Sequence, residues 1–107
     1  MTETITTFVT FNMPPDAVDK FKTEWLKDFA FIARQPGQKG GALYNRIGGN
    51  EQVEFINVAH WESEDAMNAA RDAAVIERQK EGRDQASLFK DLGVSVSAEN
   101  YVVEVPY

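Results

Sequence analysis

The sequence predicts an α+β fold of the ferredoxin-like kind, with an antiparallel sheet and the element order β-α-β-β-α-β. Two observations lead to this prediction. Segments rich in β-branched and aromatic residues alternate with segments whose apolar residues recur at helical spacing. Clusters of proline and glycine separate these segments, at Pro14-Pro15, Pro36-Gly37 and Gly48-Gly49. With 107 residues, 43% of them hydrophobic, the chain is expected to form a single domain over residues 1–107.

The first half of the chain predicts a strand, a helix and a second strand. Residues 5–11 are rich in β-branched and aromatic side chains, which is typical of a strand. From Val18 onward, apolar side chains recur at the spacing of one helix face, and Pro36-Gly37 ends this helix. The aromatic stripe of the helix consists of Phe21, Trp25 and Phe29. After a pair of glycines, residues 42–47 predict the second strand.

The second half predicts a strand, a helical stretch and a last strand. Val53–Trp61 is the third strand, and the turn at residues 48–51 makes it an antiparallel hairpin with the second. Ser63 suits the N-cap of a helix that the alanine-rich residues 66–76 continue, with a break expected near Asp72. Residues 94–105 predict a long last strand with a bulge at residues 98–100.

The third strand places one polar amide in an otherwise apolar row. Side chains alternate between the two faces of a strand, so Asn57 shares a face with Phe55, Ala59 and Trp61. A buried amide without hydrogen-bond partners costs about 1–3 kcal/mol. Asn57 is therefore expected either to bond a neighbouring backbone group or to belong to a site.

The opposite face of the same strand is also apolar, because it carries Ile56 and Val58. Helices cover only one side of such a sheet, so a monomer would leave this apolar face in contact with water. A homodimer with the two sheets packed face to face removes this exposure, and the long last strand is expected to reach the partner. The single histidine, His60, is expected at this interface.

Composition excludes several classes of function. The net charge is −6 and no run of Lys or Arg is present, so neither nucleic acid nor an anionic membrane is an expected partner. The absence of cysteine excludes disulfides, thiolate nucleophiles and iron–sulfur sites. One histidine without suitably spaced carboxylates predicts no metal site. The N-terminus has neither a basic nor an apolar signal region, which favours a cytoplasmic protein.

The junction between the third strand and the next helix carries a family resemblance. The residues Asn57-Val58-Ala59-His60-Trp61-Glu62-Ser63-Glu64-Asp65-Ala66, with the element order, resemble the antibiotic biosynthesis monooxygenase domain family of dimeric α/β-barrel proteins. The resemblance implies a cofactor-independent monooxygenase or related oxidoreductase that acts on a small aromatic or quinol-like compound. It also implies that Asn57 and Trp61 are catalytic residues, which hold a phenol and stabilise its anion and oxygen-derived intermediates. No cofactor is implied.

The same resemblance extends to further candidates for substrate binding. Relatives use a Tyr on the following helix and a basic residue further on; here Tyr44, Arg78 and Arg83 are the candidates for these roles. The stripe of Phe21, Trp25 and Phe29 is expected to be core, and its residues would also form the far wall of a pocket.

Three further functions remain open. One is a non-catalytic dimeric domain that binds a small apolar ligand. Another is an isomerase-type relative, whose pocket should contain more polar than aromatic residues. The third is haem degradation, with Asn12 and Trp61 in the roles that relatives give to an Asn and a Trp. This third function is disfavoured because His60, the only histidine, is not placed to bind haem iron.

Overall fold

The structure, a computed structural model, describes residues 3–49 and 51–107. Asn50 of the predicted turn and the first two residues of the N-terminus lie outside these ranges. A single 3-10 turn, Pro15–Ala17, precedes the first helix. The remaining elements are β1 (Ile5–Met13), α1 (Val18–Ile32), β2 (Gln38–Asn45), β3 (Val53–Trp61), α2 (Glu64–Lys80), α3 (Gln85–Leu92) and β4 (Ser95–Tyr101).

The four described strands form one sheet in the order β2-β3-β1-β4, and every neighbouring pair is antiparallel. The first and third strands are central, because β3 pairs with both β1 and β2. This topology confirms the predicted ferredoxin-like α+β fold. Register alternation also confirms the two faces predicted for β3, because Asn57 pairs with Val9 and Leu43 on one face, and Ile56 pairs with Thr10 and Tyr44 on the other.

The core lies between the helices and one face of the sheet. Its larger cluster surrounds Phe21 of α1, which is completely buried and stacks on Phe55 at a ring-centroid distance of 5.4 Å. Phe11 and Phe89 complete this aromatic group. A smaller cluster lies at the other end of β3, around Trp61. Burial of aromatic side chains of this size dominates the stability of such a small chain.

The boundaries of the first two predicted strands are partly wrong. The second strand begins at Gln38, not at residue 42, and it ends at Asn45. Its early start contains an irregularity between Gln38 and Gly41, where glycines replace the β-branched residues that sequence patterns associate with strands. The first strand continues beyond residue 11 to Met13, which is fully buried.

The second half of the chain differs from the sequence predictions at two places. The helix α2 runs through Asp72 without a break and ends at Lys80, because the chain turns at Gly82 with a φ of +68°. The last strand ends at Tyr101, and its pairing with β1 is continuous through the residues where a bulge was predicted. The predicted N-cap is confirmed, since Ser63 Oγ accepts a hydrogen bond from the Ala66 backbone N–H at 3.1 Å.

The face of the sheet opposite the helices carries exposed apolar side chains. Phe8, Tyr44 and Tyr101 are 37%, 59% and 54% exposed, and Phe8 packs edge to face against Tyr101. A hollow of about 480 Å³ lies among Phe8, Ile56 and Tyr101. We refer to this surface as the open face. The homodimer remains a prediction for it. None of the helices that the structure describes is long and apolar enough to cross a membrane.

Candidate functional site

A cavity of about 620 Å³ lies between α1 and the β2-β3 hairpin. The helix lines it with residues spaced i, i+3, i+4, i+7 and i+8, which lie on one helix face. These residues are Trp25, Asp28, Phe29, Ile32 and Ala33. The rings of Trp25 and Phe29 are stacked, with centroids 5.2 Å apart and planes at 4°. The helix wall is therefore flat and aromatic, with a single carboxylate.

Glycines open the sheet side of the cavity. A Cβ atom at Gly41 would lie 2.0 Å from the Val58 carbonyl oxygen, so no side chain fits at this position. At Gly40, φ is +100° and a Cβ would meet nothing within 4 Å. The two glycines allow β2 to bulge beside β3 while leaving space that side chains would otherwise fill.

Asn57 lies on the floor of this cavity. Its neighbours across the sheet are Val9 and Leu43, so its amide is surrounded by apolar side chains. Among residues 3–49 and 51–107, no hydrogen bond joins the Asn57 side chain to another protein group. No described side-chain N or O atom is both buried and unpaired, which means that the amide is reached from the cavity. It is available to a ligand as donor and acceptor.

The other predicted aromatic residues are distributed over several places. Trp25 lines the cavity, whereas Phe21 is packed within the aromatic core. Trp61 is 4% exposed in the cluster with Ile5 and Met67, and it is not among the residues that line the cavity. Tyr44 pairs with Ile56 and therefore lies on the open face, opposite Asn57. The structure thus brings Asn57 and Trp25 together and places Phe21, Trp61 and Tyr44 elsewhere.

The two predicted arginines lie on the other side of α1. Arg78 and Arg83 line a second cavity, of about 670 Å³, between the β1-β4 pair and the helices α2 and α3. Both guanidinium groups donate to carboxylates of α1. Arg83 donates to Glu24, to Asp28 at 3.0 Å and to Glu81 at 2.8 Å. Arg78 donates to Asp28 at 3.1 Å.

We refer to these side chains, with Gln85, as the Asp28 cluster. Burial alone would lower the pKa of Arg83, but hydrogen bonds to Glu81, Asp28 and Glu24 outweigh it and raise that pKa above its ordinary value. Gln85 Nε2 also donates to Asp28 Oδ2. Asp28 is therefore the residue that joins the cluster to the first cavity, since it lines that cavity as well.

Sequence reasoning missed Asp28 and Glu24, although the sequence contains a usable pattern. The two carboxylates are four residues apart on α1, beside the stripe of Phe21, Trp25 and Phe29. Like charges at this spacing destabilise a helix unless a cation lies nearby. Two arginines five positions apart, at the end of the next helical stretch, supply that cation.

The residues expected for haem degradation are not brought together. His60 lies on the open face, where a hydrogen bond of 3.1 Å joins its Nδ1 to Thr6 Oγ1. Asn12 is on the same face, because it pairs with Glu54, whereas Trp61 points to the helices. Within the described residues, no group of three or more His, Cys, Asp and Glu side chains is arranged to hold a metal ion.

Comparisons with known proteins support a common architecture. No protein-family model matches the sequence, and no curated protein matches it. Among solved structures, one from Shewanella loihica PV-4, described as a "putative monooxygenase", is 27% identical, with a TM-score of 0.73 and 99% of each chain covered. SnoaB, a cofactor-independent oxygenase from Streptomyces nogalater, is 18% identical, with a TM-score of 0.70, covering 97% of this chain and 96% of that one. The heme-degrader MhuD from Mycobacterium tuberculosis is 18% identical, with a TM-score of 0.69, covering 96% and 98%.

These structures confirm the resemblance to antibiotic biosynthesis monooxygenase-type proteins that the sequence predicts. The matches cover nearly the whole chain, so the similarity extends over the complete fold. The two relatives at 18% identity show the fold alone, and one degrades haem whereas the other is an oxygenase without a cofactor. One fold thus carries different activities, so the fold alone does not determine the activity of this chain.

Proposed function

We propose that this protein is a cofactor-independent monooxygenase that acts on a small aromatic or quinol-like compound in the cavity beneath α1. The position of Asn57 gives the strongest support for the proposal. Its amide is free of protein partners in the described part of the chain and lies on the floor of a 620 Å³ cavity that is otherwise largely apolar. The stacked rings of Trp25 and Phe29 form a wall suited to the flat face of an aromatic ligand.

The chemistry requires little from the protein. An electron-rich phenolate reduces dioxygen itself, so the substrate supplies all the electrons. For a phenol whose para C–H becomes a carbonyl, one oxygen atom of O₂ enters the quinone and the other leaves as water with two hydrogens. Negative charge develops on oxygen during this reaction, and the Asn57 NH₂ is a donor for it. Apolar neighbours such as Leu43 strengthen that hydrogen bond by excluding water.

A second candidate function is a non-catalytic domain that binds a small aromatic ligand. The observation that favours it is the position of Trp61 and Tyr44. Trp61 is part of the core, and Tyr44 lies on the open face, so neither adds a polar group to the cavity. The apolar lining speaks against an isomerase, whose sugar-like substrate needs many hydrogen-bonding partners.

Isotope labelling tests the proposed reaction and separates the two candidates. The metal-free protein is incubated with ¹⁸O₂ and a panel of naphthols and hydroquinones, and 1-naphthol serves as the reference substrate. We expect 1,4-naphthoquinone with one labelled oxygen, formed faster than in the same buffer with heat-denatured protein. Binding of these compounds without any accelerated oxidation would favour the binding domain instead.

We also propose that the protein is a cytoplasmic homodimer, joined through the open face. The exposed rings of Phe8, Tyr44 and Tyr101 support this proposal, because soluble monomers rarely expose so many neighbouring aromatic side chains. The residues after β4 include Val103 and Val105, which are 65% and 73% exposed and would lose contact with water at such an interface.

A further inference from the structure

We propose that Asp28 determines ligand specificity by accepting a hydrogen bond from a hydroxyl group of the substrate. This inference rests on the proposed function, because it concerns the ligand of the same cavity. Asp28 is the only acidic side chain among the residues that line the cavity within the described part of the chain. It contributes a charged acceptor to a wall otherwise formed by Trp25, Phe29 and Ile32.

The hydrogen bonds that Asp28 accepts leave one acceptor position of its carboxylate without a donor among the described protein groups. An ionised carboxylate has about four lone-pair positions, two on each oxygen. Oδ2 of Asp28 accepts from Arg78 Nη1 and from Gln85 Nε2, which occupy both positions of that oxygen. Oδ1 accepts from Arg83 Nη2 at 3.0 Å and from no other described group. One lone-pair position on Oδ1 is therefore not occupied by a described protein group, and Asp28 lines the cavity.

The surrounding cluster keeps the carboxylate in place. Arg78 and Arg83 approach from α2 and the segment after it, so the side chain of Asp28 is held from two directions. Arg83 is itself fixed by Glu24, which is 5% exposed. An oriented carboxylate loses little freedom when a ligand binds, which favours a specific hydrogen bond.

The arrangement defines a substrate class. Asp28 only accepts hydrogen bonds, whereas the Asn57 NH₂ donates them. A ligand that satisfies both must carry a hydroxyl donor for Asp28 and an oxygen that accepts from Asn57, with an aromatic body against Trp25 and Phe29. The inferred substrates are thus aromatic compounds with a hydroxyl group that reaches Asp28, and a second oxygen would add the contact to Asn57.

Binding of 1-naphthol and of 1-methoxynaphthalene tests the inference by titration calorimetry. The two compounds have the same rings, but only naphthol donates a hydrogen bond. We expect the wild-type protein to bind naphthol about tenfold more tightly, the effect of one hydrogen bond to a charged acceptor. Equal affinities, or no binding of either compound, would overturn the inference.

Two variants test whether the preference for naphthol depends on Asp28. In Asp28→Asn the amide must turn its oxygen toward the two donors at Oδ2, which puts NH₂ at the open position. The naphthol preference should then fall to about twofold or less. Asp91→Asn is the control, because this exposed carboxylate of α3 lies outside both the cavity and the Asp28 cluster, and it should keep the tenfold preference. A tenfold preference that survives in Asp28→Asn would refute the assignment.

A crystal structure of the wild-type protein with 1-naphthol decides the matter even if Asp28→Asn does not fold. The hydroxyl oxygen should lie about 2.5–3.0 Å from Asp28 Oδ1. A hydroxyl placed anywhere else overturns the inference. These measurements follow binding alone, so they are independent of catalysis. Naphthol preference without oxidation would leave Asp28 assigned and remove the monooxygenase proposal, and oxidation without the preference would do the reverse.

Discussion

At Gly41 the second and third strands approach so closely that the cavity depends on the absence of a side chain. A Cβ there would lie 2.0 Å from the Val58 carbonyl oxygen and 2.9 Å from Ala59 Cα, and both are backbone atoms that move only with the strand. Asn57 directly precedes these two residues in the sequence, so any shift of β3 also displaces the floor of the cavity. The steric constraint at Gly41 therefore also affects the position of Asn57 in the candidate site.

The variant Gly41→Ala is expected to lower the free energy of unfolding by about 1–3 kcal/mol or more, because the added methyl overpacks the strand pair. Chemical denaturation measures the change. Gly49→Ala is the matched control, since the nearest atom to a Cβ there is Gln52 O, at an ordinary 3.6 Å. Equal stability of the two variants would show that the strands do not approach this closely.

Among the elements, the helix α2 depends on its first turn. Ser63 Oγ accepts from the Ala66 N–H, and Glu64 and Asp65 follow at the positive end of the helix. Replacing Ser63 by Ala should cost about 1 kcal/mol in the free energy of unfolding. Ser87→Ala, at an exposed position of α3, is the control and should cost less than half as much. A Ser63→Ala protein as stable as the control would mean that the cap contributes nothing.

The ion pairs of the Asp28 cluster join the end of α2 to α1. Arg83→Met should destabilise the fold by about 3–5 kcal/mol, because it leaves the buried Glu24 carboxylate without its partner. Arg71→Met, at an exposed site of α2, should change stability by no more than about 0.5 kcal/mol. Thermal and denaturant unfolding measure both variants, and a similar small effect in each would contradict the role given to the cluster.

The pH dependence of this contribution follows from the raised pKa of Arg83. A cation whose pKa is higher in the folded state contributes stability that is fully present below its ordinary pKa and is lost only as the pH rises through the raised value. Between about pH 6 and about pH 9 the guanidinium therefore stays charged, and its contribution should not vary. A difference in stability between the wild type and Arg83→Met that changes steadily over this range would contradict that.

The elements also show why some parts of the fold follow from sequence and others do not. The strand Val53–Trp61 and the N-cap Ser63 are local, because alternation and capping chemistry lie within a few residues of each other. The start of β2 was missed since Gly40 and Gly41 have no strand propensity, and pairing with β3 imposes the extended conformation there. Residues 103–105 carry the same pattern as a strand but extend beyond Ile5, the first residue of β1, because Tyr101 already pairs with Thr6.

For the site, sequence placed Asn57 correctly on the helix side of the sheet, since alternation along one strand determines the face. It did not place Trp61, because its depth in the core depends on Met67 and Ala70, which come from α2. Arg78 and Arg83 were expected at the substrate, but two carboxylates of α1, Glu24 and Asp28, bind them. Contacts between elements of this kind are not encoded in local spacing.

For the molecule as a whole, a charge placed on the open face tests the predicted homodimer. Ile56→Glu would place a charge among Phe8 and Tyr101, and desolvating this carboxylate should prevent association. Sedimentation at micromolar protein is expected to give twice the 12.0 kDa mass of one chain for the wild type and a single chain mass for the variant. Leu26→Glu, at a residue of α1 that is 58% exposed, is the control and should remain dimeric. A wild-type mass of one chain at every concentration would disprove the dimer.

Haem binding can also be tested on the whole protein. The described residues hold His60 on the open face and place no histidine among the residues that line either helix-side cavity. We therefore expect titration with hemin to give weak, non-stoichiometric changes in the Soret band. A sharp change at one equivalent, abolished by Trp61→Phe, would make haem degradation the favoured function.

The most direct test of the central claim, that the Asn57 cavity is the reaction site, compares turnover with stability in Asn57→Ala. Quinone formation by this variant should fall by about tenfold or more, equivalent to about 1.4 kcal/mol in the barrier, while Tm stays unchanged or rises because no protein partner loses a hydrogen bond. Asn45→Ala, which lies on β2 outside the cavity, controls for the loss of an amide from the sheet. Unchanged turnover with a Tm lower by several degrees would mean that Asn57 is structural, and it would contradict the claim.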